Sequence, residues 1–331
     1  MYDIILQSLP PVIHLPVITV IFIASLFLLI KSADVFIESA EGIGIKLKLP
    51  YFLIGITIIG MGTSLPELAT SLASIFQSTP ENDLTEIVSA NVIGSNIANI
   101  LLGIGIACIL QVVKVDRNLQ DNDIPFLFGS TAIAIYFLYD GILTHWEGVL
   151  LIWMFVVFLA FSILNDRTPV YLDKEVEKAA KKKSFSSLFS FLLLAGAGIV
   201  FASDFTIRSL ADMAPIIGVE KDVASMVLLA VGTSFPEIFV SVMAIQKGKA
   251  ILAIGNILGS NISNILGILG VSAFITNITV SEKSIVVGLP FMAIATLFFI
   301  FSAMDNRFRL WEGLMTIAIF LAFLGSLFGV F

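Results

Sequence analysis

An eight-residue string, Gly60-Met61-Gly62-Thr63-Ser64-Leu65-Pro66-Glu67, returns later in the chain as Ala230-Val231-Gly232-Thr233-Ser234-Phe235-Pro236-Glu237. Whatever the chain folds into must therefore contain the same unit twice. The two glutamates lie 170 residues apart, and so do Asp34 and Asp204. A second string, Asn91-Val92-Ile93-Gly94-Ser95-Asn96-Ile97-Ala98-Asn99, returns as Asn256-Ile257-Leu258-Gly259-Ser260-Asn261-Ile262-Ser263-Asn264 at a spacing of 165. That shorter spacing persists, relating Trp146-Glu147-Gly148 to Trp311-Glu312-Gly313. The first copy thus carries five more residues between its strings, placed in a surface turn near Thr79-Pro80-Glu81-Asn82-Asp83. Chance similarity between apolar stretches would not hold two constant spacings through uncommon polar residues.

Both glutamates sit in segments apolar enough to cross a bilayer. Of 331 residues, 58% are hydrophobic and 13% charged, with a mean hydropathy of +1.02. A soluble domain cannot hide that much apolar surface, so the expected class is an all-α polytopic membrane protein. Ten segments approach the length that about 30 Å of hydrocarbon requires: 12–31, 51–76, 87–111, 123–139, 146–164, 186–207, 223–246, 250–272, 284–302 and 309–330. The chain divides into a first five-helix repeat (1–164), a basic linker (165–184) and a second five-helix repeat (185–331). Cys108 stands alone in an apolar span and is assigned to packing, which excludes a disulfide framework or a cysteine metal site. Two histidines and no long basic tract outside the linker leave no footprint for nucleic acid. Met1 to Pro11 lacks the basic start and cleavage site of a signal peptide.

Basic residues set the orientation. With ten spans, fifteen of the eighteen lysines and arginines fall on one side, and only Arg208, Lys221 and Lys283 on the other. The richer side is expected to be cytoplasmic, which puts both termini outside. Because five is odd, the second repeat enters the membrane from the side opposite the first. Inverted repeats place a site near the midplane at their interface and let one part move against another, as a carrier requires. Such symmetry makes one chain sufficient for function.

A carboxylate at that depth is expensive and marks a functional site. Thr63, Ser64 and Glu67 share a helix face, and Pro66 lacks the amide hydrogen that would engage the Gly62 carbonyl. Thr233, Ser234, Glu237 and the Gly232 carbonyl repeat the arrangement. Ser95 with Asn99, and Ser260 with Asn264, add further oxygens one helical turn apart. Seen once, either string could serve helix packing alone; seen twice, with a glutamate in the same place, packing explains little. The ensemble is an all-oxygen shell with no sulfur or imidazole. Calcium takes six to eight oxygens in flexible geometry, whereas magnesium demands a tight octahedron; manganese also accepts oxygen. The two carboxylates are neutralised by one divalent ion, by two sodium ions or by two protons. Leaving them bare in a dry site costs several kcal/mol per ion, so competition for this charge pair couples opposite fluxes.

The strings Gly62-Thr63-Ser64-Leu65-Pro66-Glu67, Gly94-Ser95-Asn96-Ile97, Gly232-Thr233-Ser234-Phe235-Pro236-Glu237 and Gly259-Ser260-Asn261-Ile262 resemble the signature of the calcium/cation antiporter superfamily. The resemblance is to its prokaryotic sodium/calcium exchanger branch and covers essentially the whole chain. It implies a multi-pass antiporter of the cell membrane, without enzymatic activity or cofactor, that exchanges calcium for sodium by alternating access. Spans 2, 3, 7 and 8 would surround the ions while spans 1 and 6 slide across them. By matching motif, the implied ligands are Thr63, Ser64, Glu67, Ser95 and Asn99 from the first repeat and Thr233, Ser234, Glu237, Ser260 and Asn264 from the second. Carbonyls of Gly60 and Ala230 join them. One position departs from the pattern: Asn264 stands where such exchangers usually have an aspartate. The missing charge keeps proton-coupled or potassium-linked exchange, with calcium or manganese as cargo, as the alternative, and a passive cation channel behind it.

Overall fold

A computed structural model describes residues 14–79, 83–115, 119, 123–165, 182–213 and 231–329. The chain is an all-α polytopic membrane protein. Its described helices are α1 (His14–Leu47), α2 (Tyr51–Gln77), α3 (Glu86–Leu110), α4 (Asp123–Leu138), α5 (His145–Asn165), α6 (Phe185–Met213), α7 (Phe235–Gln246), α8 (Ala250–Ile275), α9 (Ser284–Ser302) and α10 (Leu310–Leu327). Eight of these are long and apolar enough to cross a membrane; α4 and α7 are shorter. The expected segment 223–246 is described only from Val231 onward, and of the linker only Asn165 and residues 182–184 are described.

The first expected boundary moves. Hydropathy ends the first span near Lys31, yet α1 continues to Leu47, a 34-residue helix about 50 Å long at 1.5 Å per residue. Asp34, Glu38 and Glu41 interrupt the apolar run without breaking the helix. Two of them have partners from a distant turn: Lys247 pairs with Asp34 at 2.8 Å and Lys249 with Glu41 at 2.6 Å. Tyr51 also donates to Glu41, which is fully buried. An acidic residue can lie inside a membrane helix when such partners repay its desolvation.

Burial grades the helices. The most apolar stretches of α3 and α8 are 78% and 83% buried, whereas those of α1 and α6 are 22% each. Helices α3 and α8 therefore form the centre, and α1 packs with α6 along one flank. At the centre, backbones touch. A β-carbon on Gly259 would lie 2.4 Å from the Ile56 carbonyl oxygen, and one on Gly55 would lie 2.6 Å from that of Leu252. Glycine at these positions lets α2 and α8 approach to main-chain contact.

Two short antiparallel strand pairs tie the helix ends together. β1 (Val113–Lys114) pairs with β4 (Arg307–Phe308), and β2 (Ile142–Leu143) with β3 (Ile278–Thr279). Since α4 leads from β1 to β2 and α9 from β3 to β4, those two helices run in opposite directions. The turn after α2 is anchored at the β2–β3 end. Asp83 accepts the Thr85 amide at 2.9 Å and the hydroxyls of Ser78 and Thr279 at 3.2 Å each, which hold its carboxyl below the usual carboxylate range.

Cys108 packs as expected. It is buried and unpaired in α3, where Gly313 of α10 comes so close that a β-carbon there would lie 2.6 Å from that of Cys108.

Candidate cation site

Helix α2 is not continuous where it carries the first string. A π-helical stretch over Ile54–Ile59 passes into a short α-helical turn at Gly60–Thr63, and the backbone then flattens at Ser64 (ψ 5°) before restarting at Leu65. Pro66 falls in the first turn of that restart, where a missing amide hydrogen costs nothing. The second copy does the same: Ser234 precedes a helix that begins at Phe235 with Pro236 in its first turn. Each glutamate thus projects from the first turn of a half-helix, and each is fully buried.

The serines depart from the simple one-face reading. Ser64 donates to Glu237 of the opposite copy, at 3.2 Å, rather than to its own glutamate. This bond brings the two strings together. Thr63 reaches Asn256 Oδ1 at 3.2 Å, Ser260 donates to the Gly60 carbonyl at 3.1 Å, Ser95 meets Thr233 at 3.3 Å, and Thr233 donates to Asn91 Oδ1 at 3.1 Å. All of these bonds cross between the copies. Gly60, Thr63, Ser64, Glu67, Ser95, Asn99, Ser234, Glu237, Ser260 and Asn264 are buried, and Thr233 is half-buried. Ala230 lies outside the described residues.

Several polar atoms of this group have no hydrogen-bond partner: both carboxylate oxygens of Glu67, Glu237 Oε2, Ser234 Oγ, and the oxygen and nitrogen of both Asn99 and Asn264. Buried orphans of this kind cost about 1–3 kcal/mol each, and more when charged. Oxygens of carboxylate, hydroxyl and amide left without protein donors are what a hard cation uses as ligands. Among the described residues no three of His, Cys, Asp and Glu gather into a metal-type cluster. Glu67 and Glu237 are the buried acidic pair of this group, and Ser64 links the first string to the second of them.

Two residues of the second string take part without having been expected to. Asn256 donates to the Glu237 carbonyl at 3.1 Å and to Ser241 Oγ at 2.8 Å, and Asn91 donates to the Glu67 carbonyl at 3.4 Å. Their signal was present in the 165-residue spacing that relates them. By contrast, Asn96 and Asn261 turn back onto their own helices, donating to the carbonyls of Val92 and Ile257 at 2.8 and 2.7 Å.

A cavity approaches the site from the β2–β3 end. Its volume is about 480 Å³, and it is walled by Thr70, Ala90, Asn91, Gly94, Thr233 and Phe323, with Lys283 and Ser284 nearer the β2–β3 end. Asn91 and Thr233 link its wall to Glu67. At the opposite end α2 and α8 meet in main-chain contact at their glycines.

Sequence comparison decides the family. The family described as sodium/calcium exchanger protein matches residues 17–164 and 187–329, nearly the whole chain. The chain belongs to the sodium/calcium exchanger protein family. It is 29% identical to the sodium/calcium exchanger MaX1 of Methanosarcina acetivorans, over 93% of this chain and 97% of that one. An uncharacterized membrane protein of Methanocaldococcus jannaschii is likewise 29% identical, over 92% of this chain and 96% of its own. Among solved structures, the sodium-calcium exchanger NCX_Mj soaked with 10 mM Na+ and zero Ca2+ superposes with a TM-score of 0.75 at 26% identity, over 94% of this chain and 99% of that one. Within this exchanger family the buried glutamate pair belongs to a carrier of ions and not to a catalyst. The exchanger's cargo is calcium and sodium, and its medium is the lipid bilayer.

Proposed function

We propose that Glu67 and Glu237 bind one transported cation between two inverted five-helix repeats, and that Thr63, Ser64, Ser95, Asn99, Thr233, Ser234, Ser260, Asn264 and the carbonyls of Gly60 and Ala230 complete the shell. The chain is a secondary active antiporter that exchanges calcium for sodium by alternating access. Repeats over 1–164 and 185–331 are joined by a cytoplasmic linker at 165–184, and both termini are extracellular. One chain suffices for the cycle, and nucleic acid plays no part.

The observation that carries the reading is the hydrogen bond from Ser64 to Glu237, which joins the two copies of the string at their buried carboxylates. Inversion has its own support. β1 and β3 are counterparts at the 165-residue spacing, as are β2 and β4, and exchanging counterparts turns the β1–β4 pair into the β3–β2 pair. Counterpart helices α4 and α9 run antiparallel in consequence. Thr131 and Thr296, also counterparts, meet each other at 3.3 Å, as residues beside a two-fold axis would. With the basic end cytoplasmic, the cavity at the β2–β3 end opens outward.

Charge sets the stoichiometry. One calcium or two sodium ions cancel the glutamate pair, and the neutral amide of Asn264 adds nothing, so the cycle exchanges two monovalent ions per divalent ion. That same neutral amide favours a second reading, in which protons or potassium replace sodium, or manganese replaces calcium.

Radioactive calcium flux into voltage-clamped proteoliposomes, under separately imposed sodium, potassium and proton gradients, separates these. An outward sodium gradient is expected to drive uptake. Either E67Q or E237Q should reduce calcium affinity at least 30-fold, since removing one member of a buried charge contact costs about 2–5 kcal/mol. Uptake driven by a pH gradient and indifferent to sodium would move the assignment to proton coupling. Uncoupled current without a trans-ion requirement would make the protein a channel.

A further inference from the structure

Asn91 and Asn256 are counterparts that the ligand shell does not include, and their surroundings are too specific for packing. Each joins the two repeats, Asn256 through three groups and Asn91 through two. The Asn256 amide nitrogen holds the Glu237 carbonyl and Ser241, while its Oδ1 accepts the hydroxyl of Thr63. The Asn91 nitrogen holds the Glu67 carbonyl, while its Oδ1 accepts the hydroxyl of Thr233. Each asparagine thus spans from the main chain of a glutamate in its own repeat to a threonine of the other.

The orientation of the amide follows from these partners. Turned over, it would set oxygen against the glutamate carbonyl, losing that bond, and would make the threonine hydroxyl an acceptor from NH2 instead of a donor. A threonine hydroxyl has one proton to give and two lone pairs. The Thr63 proton has three acceptors within reach: Asn256 Oδ1 at 3.2 Å, the Ile59 carbonyl at 3.1 Å and the Gly60 carbonyl at 3.3 Å. Which acceptor takes it decides where the lone pairs point and whether the Gly60 carbonyl, which already holds Ser260, takes a further donor.

We propose that Asn91 and Asn256 are positioning residues: each draws the proton of the opposite repeat's threonine onto its Oδ1, aiming the hydroxyl lone pairs of Thr233 and Thr63 at the cation. Cation affinity in each repeat thereby depends on a residue of the other. This inference rests on the proposed shell, in which the two threonines are ligands. Without Asn256 the Thr63 proton turns to its own helix, and two ligand oxygens lose their aim together.

Paired cycles test it, using the full-length protein in detergent for equilibrium binding of radioactive calcium and in proteoliposomes for flux. N256A is expected to weaken calcium binding about tenfold, the scale of one hydrogen bond to a buried group, with KM rising by more than the maximal rate falls. T63V should do at least as much. The double variant N256A/T63V should bind as T63V alone does, because the asparagine acts through the hydroxyl that valine lacks. T63S, which keeps the hydroxyl, should restore most of the affinity of T63V. Should N256A prove misfolded by size exclusion, the cycle N91A with T233V gives the same readout at a less enclosed position.

Effects that multiply in the double variants would overturn the proposal, as would a fall in maximal rate with KM unchanged. Calcium binding by the unaltered protein with no sodium-driven flux would instead overturn the exchange reading, and the binding cycle would still judge the asparagines.

Discussion

At the scale of single residues, two buried acids have opposite fates. Glu67 keeps both oxygens free of protein donors, whereas Glu41, equally buried, spends one oxygen on Tyr51 and the other on Lys249. Glu41 is thus a structural acid that pins α1 to the turn between α7 and α8. K249M strands a buried carboxylate and should cost about 3 kcal/mol, the low end for breaking a buried ion pair, because Tyr51 remains. E41Q should cost less, and the double variant E41M/K249M should melt nearer the unaltered protein than K249M does. Thermal unfolding in detergent checks the order; K249M melting like the unaltered protein would show the pair to be solvated and idle. The sequence made Glu67 and Glu237 conspicuous through their repeated surroundings. Glu41 was not conspicuous, for its partner Lys249 is some two hundred positions away and the residue 170 positions on is Ala211. Asn91 and Asn256 were visible as repeated letters, but their bonds to the opposite threonines depend on how the repeats dock. Spacing within one string cannot state that.

Among the elements, the helices in the middle of the chain read well from hydropathy because their ends coincide with polar turns: α4 and α9 begin where expected, at Asp123 and Ser284. α1 did not, since three acids ended the apolar run inside a helix that tertiary ion pairs sustain. Nor could hydropathy show the π-helical stretches at Ile54–Ile59 and Ser263–Leu269, which flank the site and rotate the side chains that follow them. The second of these has no counterpart, for α3 is α-helical throughout Glu86–Leu110. Glycines show the same asymmetry. Gly94 and Gly259 are counterparts, yet among the described residues a β-carbon on Gly94 meets nothing within 4 Å while one on Gly259 strikes main chain at 2.4 Å. G259A should therefore destabilise the protein by about 1–3 kcal/mol, as overpacking does, and G94A should leave the melting temperature unchanged. Equal losses would show that α3 is as tightly docked as α8.

For the whole molecule, that inequality is a statement about conformation. Among the described residues, main-chain contact seals α8 onto α2 at one end, while α3 faces the cavity beside Thr233 at the other. On the proposed inverted arrangement of the repeats, alternating access requires the two ends to exchange states, so α3 must at some point dock as α8 does now. The β-carbon absent from Gly94 is then the space that second docking fills. G94A is expected to fold normally, bind calcium from the open side and yet lose at least tenfold in exchange rate, because closing the cavity would meet a methyl group where main chain must pass. Ala90, exposed on the same cavity wall, reports the population. A90C should react with an impermeant maleimide added from the cavity side, and G94A should speed that labelling by holding the cavity open. Leu252, buried at the sealed end, should resist labelling as L252C in both backgrounds. Faster labelling of L252C in G94A would mean that the added methyl favours the opposite state, and the assignment of Gly94 to the closing contact would be wrong.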